Sequence, residues 1–185
     1  MRARLGAFDR AALDDYGLLP AYAAYYKPFK KTYHVRGQLE SVLFKGRSLP
    51  RVAALVEAMF MAELKNLVLT AGHDQDRLQG AVTVRVATGS ETYTVMRGQD
   101  QTLKAGDMYM ADEAGVISSI LYGPDQRTQI TADTTRVLFA SYAPAGVPAP
   151  SVRVHLEDIR DYVLAVSPGA EVDLLEVLGT TDPRR

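Results

Sequence analysis

Any chemistry in this chain has to come from a short acidic turn and three polar phrases. The turn is Gly72-His73-Asp74, with Asp76 two residues on. A histidine beside carboxylates can move protons or hold a metal, but a metal site needs a further ligand from elsewhere in the chain, and none is in view. No metal and no cofactor are expected. The phrase running from Thr128 to Thr135 gathers Thr128, Thr131, Asp133, Thr134 and Thr135. Side chains of these types either line a polar pocket or bond their own backbone in a turn. In the phrase from Arg85 to Glu91, a cation and an anion stand on either side of Thr88-Gly89. Arg85 and Glu91 therefore either brace a hairpin diagonally or touch a substrate. Gly89-Ser90 lacks the Gly-x-Ser-x-Gly frame that presents a hydrolase serine. The third phrase, Gly106 to Asp112, ends an alternating run on an acid. His34 and His155 have no polar partner near them in sequence and are expected at the surface or half-buried. No catalytic residue is named by these patterns.

Strands and helices must carry these residues. Val82, Val84 and Val86 alternate with Thr83 and Arg85, and alternation resumes at Tyr93 and Val95, which predicts a hairpin closing at Thr88-Gly89. Met108–Ala111, Val116–Leu121 and Arg136–Tyr142 read as further strands, the first two joined by a tight turn over Asp112–Gly115. Helices are predicted over Ala11–Leu18, Pro20–Tyr26, Gln38–Lys45 and Arg51 to about Leu69. The last carries Val52, Leu55, Val56, Met59, Phe60, Leu64 and Leu67 on a core-facing stripe. After the proline-rich connector Ala143–Pro150, Ser151 is expected to cap a helix whose Val154, Leu156, Ile159, Val163 and Val166 share one face. The tail from Ala170 to Leu178 is apolar enough to dock on the body, and Thr180–Arg185 should fray. These elements predict an α+β fold, a mostly antiparallel sheet flanked by helices.

At 185 residues and 47% hydrophobic, the chain can bury the core of a single domain spanning residues 1–185, with residues 151–178 as a C-terminal helical extension. Its formal net charge of −1 supplies no global attraction to nucleic acid or anionic membranes. The absence of cysteine excludes disulfides, thiolate metal sites and cysteine nucleophiles. The start of the chain lacks the apolar run of a signal peptide, and no segment has the length of an apolar membrane span, so a cytoplasmic protein with no membrane association is expected. Charge is nevertheless uneven. Lys27, Lys30, Lys31, Arg36, Lys45, Arg47 and Arg51 fall within one stretch opposed only by Glu40, interleaved with Tyr25, Tyr26, Phe29 and Tyr33. Such a stretch either tracks phosphates with aromatics available for stacking, or forms a solvated helix pair whose aromatics pack inside.

Taken in order, the phrases Leu49-Pro50, Asp74-Gln-Asp-Arg-Leu-Gln-Gly80, Arg85-x-Ala87-x-x-Ser90-Glu91, Gly106-Asp107 to Asp112, and Thr128–Thr135 before Val137-Leu-Phe139 form one pattern. Over about residues 25–143 it resembles the B3/B4 tRNA-binding and editing domain of the phenylalanyl-tRNA synthetase beta chain, which also exists as free-standing small proteins. The resemblance implies tRNA or aminoacyl-tRNA as partner. His73, Asp74, Arg85, Glu91, Thr128, Thr131, Asp133 and Thr134 are then the candidate pocket residues, and the basic stretch from Lys27 to Arg51 the candidate RNA contact. In the family, editing is associated with a histidine at the position of Ala71, a glutamate at the position of Ala140, and a Thr-Asn pair near Met59-Phe60. His73, two residues beyond Ala71, is expected to point elsewhere. Ester hydrolysis needs a group that activates water and one that stabilises the oxyanion, and the matched positions supply neither. Amino-acid activation is not expected, because no nucleotide-binding motif is present. The leading expectation is a stand-alone tRNA-binding domain. The alternatives are a trans-acting aminoacyl-tRNA deacylase using Asp133, the threonines or His73, and a small-molecule binding module that no longer binds RNA.

Overall fold

A computed structural model describes residues 13–47 and 53–179. Leu13–Leu18 forms turns, and the first helix, α1, spans Leu19–Tyr26 with Pro20 in its opening turn, where a missing N–H costs nothing. The expected helix before it is therefore not helical over residues 13–18, and Ala11 and Ala12 lie outside the described residues. A single 3-10 turn, Lys27–Phe29, follows α1 and ends at Lys30 in the left-handed region. Helix α2 is His34–Phe44 and α3 is Ala54–Asn66. Leu49-Pro50, Arg51 and Val52 lie outside the described residues. The third helix stops where Leu67 adopts φ 61° and returns its N–H to the Glu63 carbonyl.

The chain then enters β1, Leu69–Asp74, where all six residues are buried. Burial on both faces removes the alternation by which a strand is read, so Leu69–Asp74 is a strand where the sequence predicts the end of a helix and a turn. Strands β2 (Thr83–Val86), β3 (Thr92–Thr94), β4 (Asp100–Thr102), β5 (Met108–Asp112), β6 (Gly115–Ser119), β7 (Gly123–Pro124) and β8 (Val137–Tyr142) follow. They make sheets of order β2-β5-β6-β7, β1-β8 and β3-β4, and every described pairing is antiparallel.

The predicted hairpin is corrected here. Thr83–Val86 pairs with Met108–Ala111, and Thr92–Thr94 pairs with Asp100–Thr102 across a turn that holds Gly98 at φ 76°. The cause lies at the corner itself. The Glu91 carboxylate accepts the N–H groups of Thr88 and Gly89, which ties the corner to itself and turns the chain out of the sheet. As an edge strand, β2 leaves Val84 and Val86 65% and 63% exposed.

Tyrosines on the first helix join the two main sheets. The Tyr22 hydroxyl donates to the Tyr142 carbonyl (2.6 Å) and accepts from the Leu69 N–H (2.9 Å), while the Tyr26 hydroxyl donates to the Ile120 carbonyl (2.6 Å). Tyr22 stacks on Tyr33 at 4.1 Å. These buried rings form the centre of a core that includes Leu39, Leu64, Ile117 and Tyr142.

Helix α4, Ala149–Val166, starts after Pro148 and carries a proline in its first turn, so Ser151 lies inside the helix and caps nothing. Its buried residues are Val152, His155 and Ile159, while Val154 and Val166 are exposed. The tail beyond it does not dock: Leu174 and Leu178 are 71% and 87% exposed. Thr180–Arg185 lie outside the described residues. No described helix is long and apolar enough to cross a membrane.

Candidate functional site

The β1–β8 register pairs Ala71 with Ala140 and His73 with Leu138. Residues directly opposed across an antiparallel pair project from one face, as do residues two apart on a strand, so all four share a face. His73 thus points to the same side as Ala71, about 7 Å further along, and not elsewhere as the sequence suggested. The two methyl groups at Ala71 and Ala140 stand opposite each other and bring no donor, acceptor or charge. Ala71 is buried in the main core and Ala140 packs against it. A cavity of about 390 Å³, lined by Gln75, Leu78, Gly80, Val82, Arg136 and Leu138, opens towards the other end of the strand pair, and neither alanine lines it.

His73 is fully buried and oriented by a relay. Its Nδ1 lies 2.7 Å from Thr128 Oγ1, and Thr128 Oγ1 donates to the Asp125 carboxylate through a very short contact. A threonine hydroxyl has one proton. With that proton committed to Asp125, Oγ1 receives the Nδ1 proton of His73, which leaves Nε2 with a bare lone pair. Nε2 is buried and has no hydrogen-bond partner among the described residues. Burial pushes the His73 pKa down to about 4; the Arg127 charge adds to the shift and Asp112 opposes it. Burial likewise raises Asp125, against hydrogen bonds from the Thr128 side chain and backbone.

Arg127, which sequence patterns did not single out, ties this region together. It bonds Asp112 at 2.8 Å and the Arg77 carbonyl at 2.8 Å, and lies 3.7 Å from Asp125. Only its adjacency to Thr128 could have marked it. Among the predicted pocket residues, the structure brings together His73, Asp74, Thr128, Thr131, Asp133 and Thr134. The Asp74 N–H donates to the Thr128 carbonyl (2.7 Å), Thr134 Oγ1 donates to Asp74 Oδ2 (2.8 Å), and Thr131 N–H donates to Thr134 Oγ1 (3.0 Å). Asp133 is exposed, and its N–H donates to Thr131 Oγ1. The threonines here brace a turn. Arg85 and Glu91 do not meet each other: Arg85 Nε donates to Thr83 Oγ1 (3.0 Å), and Glu91 is occupied by its own corner. The Thr88 and Gly89 donors, Thr88 foremost, hold the Glu91 pKa down to about 2.

On the opposite face of β1 and β8 lies a second polar group that sequence reasoning missed. Thr70 Oγ1 is 2.6 Å from His155 Nε2 and 2.9 Å from Ser141 Oγ, and the Thr70 N–H donates to Glu63 Oε1 at 2.8 Å. Burial lifts Glu63 to about 8, against the Thr70 N–H. Burial lowers His155 to about 4, against the Ala62 backbone and the Asp158 charge. His155 is therefore wholly inside and not at the surface, because α4 lays its Val152, His155 and Ile159 face inward. A carboxylate within the apolar run Met59–Leu64 was the available signal for Glu63.

The basic stretch separates. Tyr26 and Tyr33 pack in the core, which removes them as stacking surfaces. Arg36 is held by Asp14 at 2.7 Å and Glu40 at 2.8 Å. Lys27 and Lys30 are exposed and Lys31 half-buried at the end of α1, whereas Lys45 and Arg47 lie past the far end of α2, about 16 Å of helix away. Arg51 lies outside the described residues.

Residues 20–158 match the family described as the B3/4 domain. The phenylalanine–tRNA ligase beta subunit of Anaeromyxobacter dehalogenans is 33% identical over 106 residues, 52% of this chain and 13% of that protein. That of Leifsonia xyli is 29% identical over 113 residues, 57% of this chain and 13% of that protein. This chain thus spans only a small part of the curated relatives it matches. Among solved structures, an N-terminal fragment of the phenylalanyl-tRNA synthetase beta subunit from Pyrococcus horikoshii superposes with a TM-score of 0.52 at 16% identity, over 60% of this chain and 40% of that one, a likeness of fold. With the family matched across most of its length and the α+β architecture shared, this chain belongs to the B3/4 domain family.

Proposed function

We propose that this chain acts in the cytoplasm as a tRNA-binding B3/4 domain that receives the charged end of tRNA without activating amino acids and without hydrolysing the ester at the matched editing position. The observation that carries this reading is the cross-strand pair Ala71–Ala140. Two methyl groups bring no donor, acceptor or charge, so neither can activate water or hold an oxyanion. Membership of a family whose curated relatives are tRNA ligase subunits supports tRNA as the partner.

The orientation of His73 favours one second reading, trans-acting deacylation. Its Nε2 lone pair stands two residues from Ala71 on the same face, backed by Thr128 and Asp125. One experiment separates the two: incubate the protein with a panel of charged and mischarged tRNAs, and measure both complex formation and release of amino acid. Complex formation without release supports the binding reading. Release that disappears in His73→Gln supports the deacylase. Neither complex nor release defeats both.

A further inference from the structure

Outside the β1–β8 face, the strongest unassigned feature is a group of lysines at the turn that ends α1. We infer that Lys27, Lys30, Lys31 and Lys104 form a contact surface for an RNA backbone, separate from the cavity. This inference rests on the tRNA-binding reading above and says where the body of the RNA would lie.

Chain geometry gathers the four. Lys27, Lys30 and Lys31 belong to one turn, closed by the Lys30 N–H on the Lys27 carbonyl (3.0 Å) and the Lys31 N–H on the Tyr26 carbonyl (3.3 Å). Lys104 reaches the same turn from the β4–β5 connection, its Nζ donating to the Phe29 carbonyl at 2.7 Å. None of the four is ion-paired among the described residues. One acid that senses Lys31 is Asp107, which is buried and bonded to the Tyr25 hydroxyl at 2.8 Å. Lys30 holds φ 55°, a left-handed backbone that a residue with a side chain seldom adopts. Aromatic surface accompanies the charge. Lys31 Nζ sits 4.3 Å over the half-buried Tyr122 ring, and half-buried Phe29 lies within the turn.

Clustered, unpaired cations beside aromatic faces suit phosphates and stacked bases. The whole-chain charge of −1 draws RNA and anionic lipid equally little. RNA is favoured over a membrane surface by the tRNA-binding reading on which this surface rests, and the vesicle arm of the test distinguishes the two. The lysine turn adjoins the Met108 end of β5, where the Met108 N–H donates to the Tyr25 hydroxyl. The cavity adjoins the Asp112 end, where Asp112 accepts the Gln79 N–H. The two are one strand apart, about 13 Å.

The test is fluorescence anisotropy with fluorescein-labelled bulk bacterial tRNA across 50 to 200 mM salt. Four phosphate contacts give a slope of about −3 to −3.5 in log K against log salt, hence a loss of about 50- to 150-fold over that range. In the quadruple variant Lys27→Gln, Lys30→Gln, Lys31→Gln, Lys104→Gln the slope should shrink by about 3, while Lys45→Gln with Arg47→Gln keeps it. If the quadruple variant fails to fold, the triple variant that retains Lys104 makes the same measurement with a slope change of about 2 to 2.5. Unchanged tRNA affinity and slope in a folded variant overturn the surface alone. A wild-type protein that binds no tRNA overturns both the surface and the function on which it rests. Loss of binding to phosphatidylglycerol vesicles with tRNA binding intact would make the turn a lipid contact and overturn the inference.

Discussion

Glu63 is enclosed by α3, β1 and the helix packed above them, with one carboxylate oxygen on the Thr70 N–H and the other without a partner among the described residues. Burial lifts its pKa from the ordinary 4.5 to about 8, so at neutral pH the folded protein holds it as the acid. In the unfolded chain Glu63 ionises above pH 4.5. Folding at pH 7 must therefore take up a proton across about 2.5 pH units, which at about 1.36 kcal/mol per unit lowers stability by about 3 kcal/mol. The effect is absent below pH 4.5, grows as pH rises, and levels off above about 8. Glu63→Gln keeps the acceptor for Thr70 and removes the titration. It should raise stability at pH 7 by up to about 3 kcal/mol, or about 6–12 °C in melting midpoint for a chain of this size. Urea unfolding followed by circular dichroism at several pH values between 4 and 8 reads this directly. The gain should close as pH falls to 4.5. A variant less stable at pH 7, or a difference independent of pH, would mean that Glu63 is charged and paired in the fold, and the reasoning would be wrong.

The two inner histidines act with the opposite sign. Burial lowers His73 and His155 from 6.5 to about 4, so the unfolded chain binds protons that the folded chain refuses; stability is lost as pH falls from 6.5 to 4, by up to about 3 kcal/mol for each. The loss is cleanest in the Glu63→Gln background, where a urea midpoint that stays flat over that range would contradict it. Gly72→Ala should cost about 1–3 kcal/mol through overpacking. Its new methyl would lie 2.7 Å from Ile130 Cδ1, 3.3 Å from Phe139 Cε1 and 3.4 Å from Met59 Sδ. An unchanged melting midpoint would show that Ile130 swings clear.

Much of the architecture was legible because it is local. Alternation marked the strands at Met108, Val116 and Val137, proline marked the start of α1, and the order of the polar phrases marked the family. What failed was pairing. Val82, Val84 and Val86 alternate as a strand should, but alternation does not name a partner, and Glu91 capping its own corner sent β2 to β5. The strand from Leu69 to Asp74 was hidden because enclosure on both sides erases period two. Candidate residues behaved alike: the threonine phrase lies at one place, as its spacing required, yet its hydroxyls serve the turn.

Composition and order of residues by themselves determined that this is a cysteine-free α+β chain of near-zero net charge with the phrases of a B3/4 domain, and that it carries Ala71 and Ala140. Only the tertiary structure decided that those two alanines face each other, that His73 shares their side with its Nε2 bare, that Glu63 and His155 are sealed behind them, and that the basic stretch divides at α2. The physical reason is range. Hydropathy and capping act over a few residues, whereas register, burial and proton affinity depend on groups brought together from distant parts of the chain.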